Sequence, residues 1–264
     1  MEYPEILYTK EAQIAKITLN RPDRMNSYGP VMSDSMKRAV IDASKDKKIR
    51  VIILTGTGRA FCSGADVKAM ADKIDQPDID AIFLKQIISR NSLFGLLRKC
   101  DKPVIAAING VAVGGGLDLA LACDIRIASD KARFAELFVR RGLFPVSGGT
   151  YFLPRLIGID KALMMLWTGD LVDAKEAERI GLVTMVVPHE ELETTALELA
   201  ERLAKGPPLA IQRDKRAVYD GLKMDLDETL KYARVIQTEL SQTKDRQEGA
   251  TAFVEKREPV FRGE

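Results

Sequence analysis

Histidine is nearly absent: the 264 residues contain one, His189, in "VVPHEEL". A single imidazole excludes metal sites built from several histidines. Its position, at the turn before a helix, also argues against Ser-His-Asp and Cys-His nucleophile arrangements. Cysteine is sparse and odd in number, at Cys62, Cys100 and Cys123, with no CxxC spacing. Neither a disulfide framework nor a zinc site fits this set, whereas a reducing compartment does. No run of about 18 or more uncharged apolar residues occurs. The opening "MEYPEILYTKEAQIAKITLN" lacks the basic-then-apolar order of a secretion signal. A cytoplasmic location is therefore the expectation. Strong charge of either sign is also missing: the net charge is +2, which gives no footprint for nucleic acid or an anionic membrane.

What is present is an ordinary globular composition, 46% hydrophobic and 30% charged. The length allows one large domain, or a domain with a smaller helical appendage. "EILYTK" and "QIAKITLN" read as two opening strands, followed by the turn "RPDRMNS". Val31, Met32, Met36, Ala39, Val40 and Ala43 recur with a helical period. The apolar runs "RVIILTG", "KPVIAAI" and "CDIRIAS" read as strands, with a helix over about 78–99 between the first two. Alternating strands and helices over residues 1–190 predict an α/β core. Residues 191–264 hold helical patterns with few strand residues, which predicts a helical layer on the core or on a neighbouring subunit.

Two strands run into small residues where a packed core would place leucine or valine. "VIILTGTGRA" leads into "FCSGADVKAM", and "VIAAINGVA" leads into "VGGGLDLALACD". Glycine and alanine let another group approach the peptide N–H. The first amides of a helix have no internal partner. If the amides of Ala65 and Gly115 converge, they form a hole for an oxygen gaining negative charge, with each donor contributing roughly 3–4 kcal/mol. The alternative is that the glycines only permit close helix–strand packing. A dinucleotide-binding loop fits less well, because "GVAVGGG" lacks GxGxxG spacing and the expected acidic residue.

Taken together, "LNRPDRMNS", "RAFCSGADVKAM", "KPVIAAINGVAVGGGLDLALACDIRIAS", "GGTYFLPRLIG", "TGDLVDAKEAERIGLVTMVVP" and "EGATAFVEKREPVF" resemble the enoyl-CoA hydratase/isomerase (crotonase) superfamily over nearly the whole chain. The resemblance implies an α/β crotonase-like spiral of ββα units with a C-terminal helical trimerisation layer. It implies homotrimers or homohexamers built as dimers of trimers, and acyl-CoA thioester substrates. No metal or redox cofactor is implied, since coenzyme A arrives as part of the substrate. The thioester oxygen would lie between the amides of Ala65 and Gly115. Arg24 and Lys68 would hold the CoA moiety, with Phe253 and Lys256 from a neighbouring subunit. Ser63, Gly64, Asp66, Val67 and Gly114 would complete the substrate contacts in the two loops, with Phe138 and Val146 at the acyl end.

The sequence departs from the family's hydratase pattern at its carboxylates. That pattern holds one water between two glutamates. The first position is Asp118 here, one methylene shorter, and the second falls on Phe138. An aspartate used by other branches falls on Val146. Glu136 is two positions from Phe138, and on a helix that is about 200° around. The expectation is thus a lone Asp118 as acid/base, with its pKa raised by apolar neighbours. Cys62 and Ser63 lack an activating histidine, and Tyr151, Arg140 and Arg141 are candidates for the acyl end. The leading reading is a hydratase or isomerase. The competing ones are a thioesterase or decarboxylase of the same family, and a catalytically weak CoA-thioester binding protein.

Overall fold

The computed structural model describes residues 2–66 and 92–264. Its chain order is β1 (Ile6–Glu11), β2 (Ile14–Leu19), α1 (Pro30–Lys45), β3 (Val51–Gly56), β4 (Ala60–Cys62), α2 (Leu93–Lys99), β5 (Val104–Ile108), β6 (Val111–Val113), α3 (Gly115–Leu121), β7 (Ile125–Ser129) and β8 (Arg133–Ala135). There follow α4 (Gly149–Ile157), α5 (Ile159–Thr168), β9 (Val172–Asp173), α6 (Ala174–Arg179), β10 (Met185–Val187), α7 (Leu192–Lys205), α8 (Pro208–Gly221), α9 (Leu226–Ser241) and α10 (Lys244–Glu255). Of the helix expected over 78–99, only α2 falls among the described residues.

The strands divide between two sheets. One sheet runs β1-β2-β3-β5-β7-β10 and the other β4-β6-β8-β9. The pairs β3/β4, β5/β6 and β7/β8 each place one strand in each sheet, which gives the expected spiral of ββα turns. The first sheet is parallel apart from the β1–β2 hairpin. Its central strands are covered on both faces, which is why they read as continuous apolar runs rather than alternating ones. Ile52, Leu54, Val104, Ala106 and Ile108 face the main core with Met32, Met36 and Ala39 of α1. Val51, Ile53, Ile105, Ala107 and Ile127 face the opposite way, onto Leu192, Ala196, Ala200 and Ala204 of α7.

Helix α1 starts with Pro30 after Gly29, the favoured place for proline. Val31, grouped with its apolar face above, is 52% exposed. The four C-terminal helices form as read. The last three leave large apolar side chains in solvent: Val218, Leu222, Leu226, Leu230, Val235, Phe253 and Val254 are each more than half exposed. Among the described residues no helix is long and apolar enough to cross a membrane.

Candidate active site

The first loop is held by the turn before α1. Met25 and Asn26 both adopt positive φ, at 52° and 54°. Asn26 is fully buried; its Nδ2 donates to Thr57 O (2.9 Å) and Ala60 O (2.8 Å), and its Oδ1 accepts from Arg21 N (2.8 Å). Ser63 N donates to Met25 O at 3.0 Å. One parallel rung then joins Tyr28 to Ala65: Tyr28 N donates to Gly64 O (2.9 Å), and Asp66 N donates to Tyr28 O (3.1 Å). This rung uses the neighbours' groups and turns the N–H of Ala65 itself away from Tyr28. Among the described residues that N–H meets no protein acceptor.

The glycines of the second loop answer a packing requirement first. A Cβ on Gly116 would lie 2.0 Å from Cys62 O, and one on Gly115 would lie 2.3 Å from the Tyr28 hydroxyl. Gly114 has φ 52° and Gly64 has φ 90°, conformations that favour glycine. A Cβ on Gly64 would come within 3.1 Å of Gly115 N, so the two amide-bearing segments are in direct contact. The two sequence readings are therefore compatible: the packing brings the segments together, and the amide of Gly115 has no protein acceptor among the described residues. A Cβ on Gly114 would touch the Phe138 ring at 3.8 Å, which puts Phe138 beside the second loop.

The carboxyl groups differ from the sequence expectation. Asp118 is fully buried in the first turn of α3. Glu136 is not on a helix. It follows strand β8, which pairs in parallel with β6, and only Val139–Arg141 form a short 3₁₀ turn. The helical rotation that removed Glu136 from consideration does not apply. Glu136 is 1% exposed and faces Asp118. A methyl on Gly149 would lie 2.8 Å from Asp118 Oδ1 and 2.9 Å from Glu136 Oε1. None of the four carboxyl oxygens receives a hydrogen bond from a donor of the protein among the described residues. Burial raises the proton affinity of both, and the negative charge of Asp118 raises that of Glu136 further. Asp118 is thus buried with a raised pKa as expected, but as half of a pair.

The other named residues fall in three groups. Val67 and Lys68 lie outside the described residues. Ser63, Gly64, Ala65 and Asp66 form the first loop, with Arg24 exposed at its rim, where Arg24 O accepts from Ser63 Oγ at 3.5 Å. Val146 is half-buried in the loop before α4. The remaining residues point elsewhere. Arg140 pairs with Asp170 at 2.7 Å, and Arg141 is exposed. Tyr151 stacks on Arg155 at 3.9 Å and lines a cleft with Arg98 and Lys215. Phe253 is 86% exposed on α10, beside a groove of C-terminal residues, and Lys256 follows that helix in an exposed left-handed turn. Cys62 is no nucleophile: burial pushes its thiol up to about 12, and it donates to Asn26 O at 3.1 Å. His189 sits in a 3₁₀ turn against Ser129 Oγ at 3.0 Å.

Two members of the site were missed from sequence. Tyr28 and Ser147 are buried beside it, and nothing in their spacing marks them. Glu136 carried a usable signal: "IRIASDKARFAE" repeats the strand–turn–strand pattern of "VIAAINGVAVGG", so its last residue emerges where the glycine loop does.

A family model described as enoyl-CoA hydratase/isomerase matches residues 9–264. The short-chain-enoyl-CoA hydratase of Clostridium acetobutylicum is 37% identical over 259 residues, covering 97% of each chain. The (E)-benzylidenesuccinyl-CoA hydratase of Thauera aromatica is 39% identical over 251 residues, covering 95% of this chain and 96% of that one. A solved enoyl-CoA hydratase from Bacillus anthracis superposes with a TM-score of 0.94 at 37% identity, covering 98% of this chain and all of the other. With this fold and this match over almost its full length, the chain belongs to the enoyl-CoA hydratase/isomerase family, a family of enzymes acting on acyl-CoA thioesters.

Proposed function

We propose that the protein adds water across the C2=C3 bond of a 2-enoyl-CoA, with Asp118 and Glu136 together handling the water. The thioester oxygen accepts hydrogen bonds from the Ala65 and Gly115 amides. As the enolate forms, charge grows on that oxygen, and fixed donors stabilise it more than they stabilise the ground state. The carboxyl pair carries one proton. The ionised member removes a proton from water as its oxygen attacks C3, and the protonated member delivers its proton to C2. Atoms balance, and the pair ends with one proton again. Positioned acid–base groups of this kind contribute about 10²–10⁴-fold.

The observation that carries this reading is the pair itself: two buried carboxyl groups that no protein donor among the described residues bonds, with Asp118 three residues along α3 from Gly115. Burying such groups is costly, so a purely structural role would leave that cost without compensation. Coenzyme A enters only as part of the substrate, held by Arg24 and Lys68 and by Phe253 and Lys256 of a neighbouring copy. The exposed apolar residues of α8–α10 support a homotrimer or homohexamer.

The test is hydration of crotonyl-CoA by Asp118→Asn and Glu136→Gln. Each should lower kcat by at least about 10² while product-CoA binding persists. Wild-type rates in Asp118→Asn would refute the assignment. A second reading, double-bond isomerisation by Asp118 alone, is favoured by Phe138 occupying the usual second carboxylate position. In that case Glu136→Gln would keep 3-enoyl-CoA isomerisation intact.

A further inference from the structure

Three chain segments build the proposed site: the first loop with Ala65, the start of α3 with Gly115 and Asp118, and the approach to α4 with Gly149. One residue meets the first two. Tyr28 is 4% exposed. Its backbone brackets Ala65 through Gly64 O and Asp66 N, at 2.9 Å and 3.1 Å. Its hydroxyl stands against Gly115, where it would meet any Cβ at 2.3 Å. It lies near enough to Asp118 and Glu136 to feel their charge.

We propose that Tyr28 is a positioning residue, its backbone fixing the Ala65 amide and its hydroxyl seating Gly115. This inference rests on the reading of Ala65 and Gly115 as the two amide donors. A phenylalanine would keep the ring and the strand rung but lose the hydroxyl that stands against Gly115. Gly115 and Tyr28 form a complementary pair, since the space a side chain on Gly115 would need is occupied by the phenol.

The experiment compares Tyr28→Phe, Gly115→Ala and the double variant by crotonyl-CoA hydration, thermal melting and product-CoA binding. Tyr28→Phe should lose about tenfold in kcat with KM within about twofold. Gly115→Ala should be severely impaired and partly rescued by adding Tyr28→Phe, because the nearest atom recedes from the 2.3 Å hydroxyl to the 3.2 Å Cζ. Full kcat in Tyr28→Phe, or a Gly115→Ala variant that Tyr28→Phe does not rescue, would overturn the proposal. A kcat loss that only tracks a drop in melting temperature would do the same. Asp118→Asn in the same assay separates the two claims: its activity decides the proposed function, whatever the Tyr28 variants do.

Discussion

Gly149→Ala gives the sharpest test of the carboxyl pair, because one methyl group would enter the space the pair shares. It would lie 2.8 Å from Asp118 Oδ1 and 2.9 Å from Glu136 Oε1. Ordinary contacts of this kind begin near 3.4 Å, so each oxygen must retreat by about half an ångström. Asp118 has little room to do so from a short, fully buried side chain. Overpacking of this size costs typically 1–3 kcal/mol. The backbone does not object, since Gly149 is not among the residues with positive φ and opens α4, where alanine gains up to about 1 kcal/mol over glycine. The net change in stability should therefore be no more than about 3 kcal/mol, and the protein should fold. Hydration should fall much further, by the roughly 10²–10⁴ of acid–base catalysis, because water can no longer sit between the two oxygens. Loss of the conjugated thioester absorbance of crotonyl-CoA reports the rate, and calorimetry with the 3-hydroxyacyl product reports binding. A folded Gly149→Ala that hydrates crotonyl-CoA at the wild-type rate would show that the reacting water is held elsewhere.

Stability should also respond to pH through the pair. Both carboxyl groups hold protons more tightly folded than unfolded, so the native state binds more protons above about pH 4 and stability falls as pH rises through the folded pKa values. Asp118→Asn should flatten this slope and gain most at alkaline pH, read by urea unfolding at about pH 5 and about pH 9; an unchanged slope contradicts the assignment of the raised proton affinity. Sedimentation at micromolar concentration should show trimers or hexamers, weakened by Leu230→Asp on the exposed face of α9. A wild-type monomer would remove the basis for Phe253 and Lys256 acting across subunits.

How much of this was legible depends on whether a residue's environment is set locally. The strands at Val51–Gly56 and Val104–Ile108 were readable because both faces of each are buried, and burial shows directly as an apolar run. The α1 period was readable for the same reason, although Val31 sits on the wrong side of it. Glu136 was misplaced because "AELFVRRG" has helical composition, while the pairing of β8 with β6 is a long-range fact that local propensity does not contain. The glycines were legible as special but not in their division of labour. That Gly116 avoids Cys62 O, and Gly115 avoids the Tyr28 hydroxyl, depends on contacts spanning many tens of residues.

The position of the second carboxyl group shows what such a site has to conserve physically. Asp118 is one methylene shorter than the glutamate the hydratase pattern places there, and Phe138 fills the place of its partner. Yet a carboxyl group still faces Asp118, brought in two residues earlier by the end of β8. A strand end and a short 3₁₀ turn can aim either Glu136 or residue 138 toward α3, because both leave β8 on the side of the second loop. What the chemistry requires is a pair of oxygens in a dry space, able to share one proton, next to amides that tolerate negative charge. Counting from a motif gives the usual residue number for that pair; burial and mutual contact are the grounds for proposing Asp118 and Glu136 here. On the proposed reading two carboxyl groups share the site although one stands away from the position the pattern gives it, and the reaction should follow the pair.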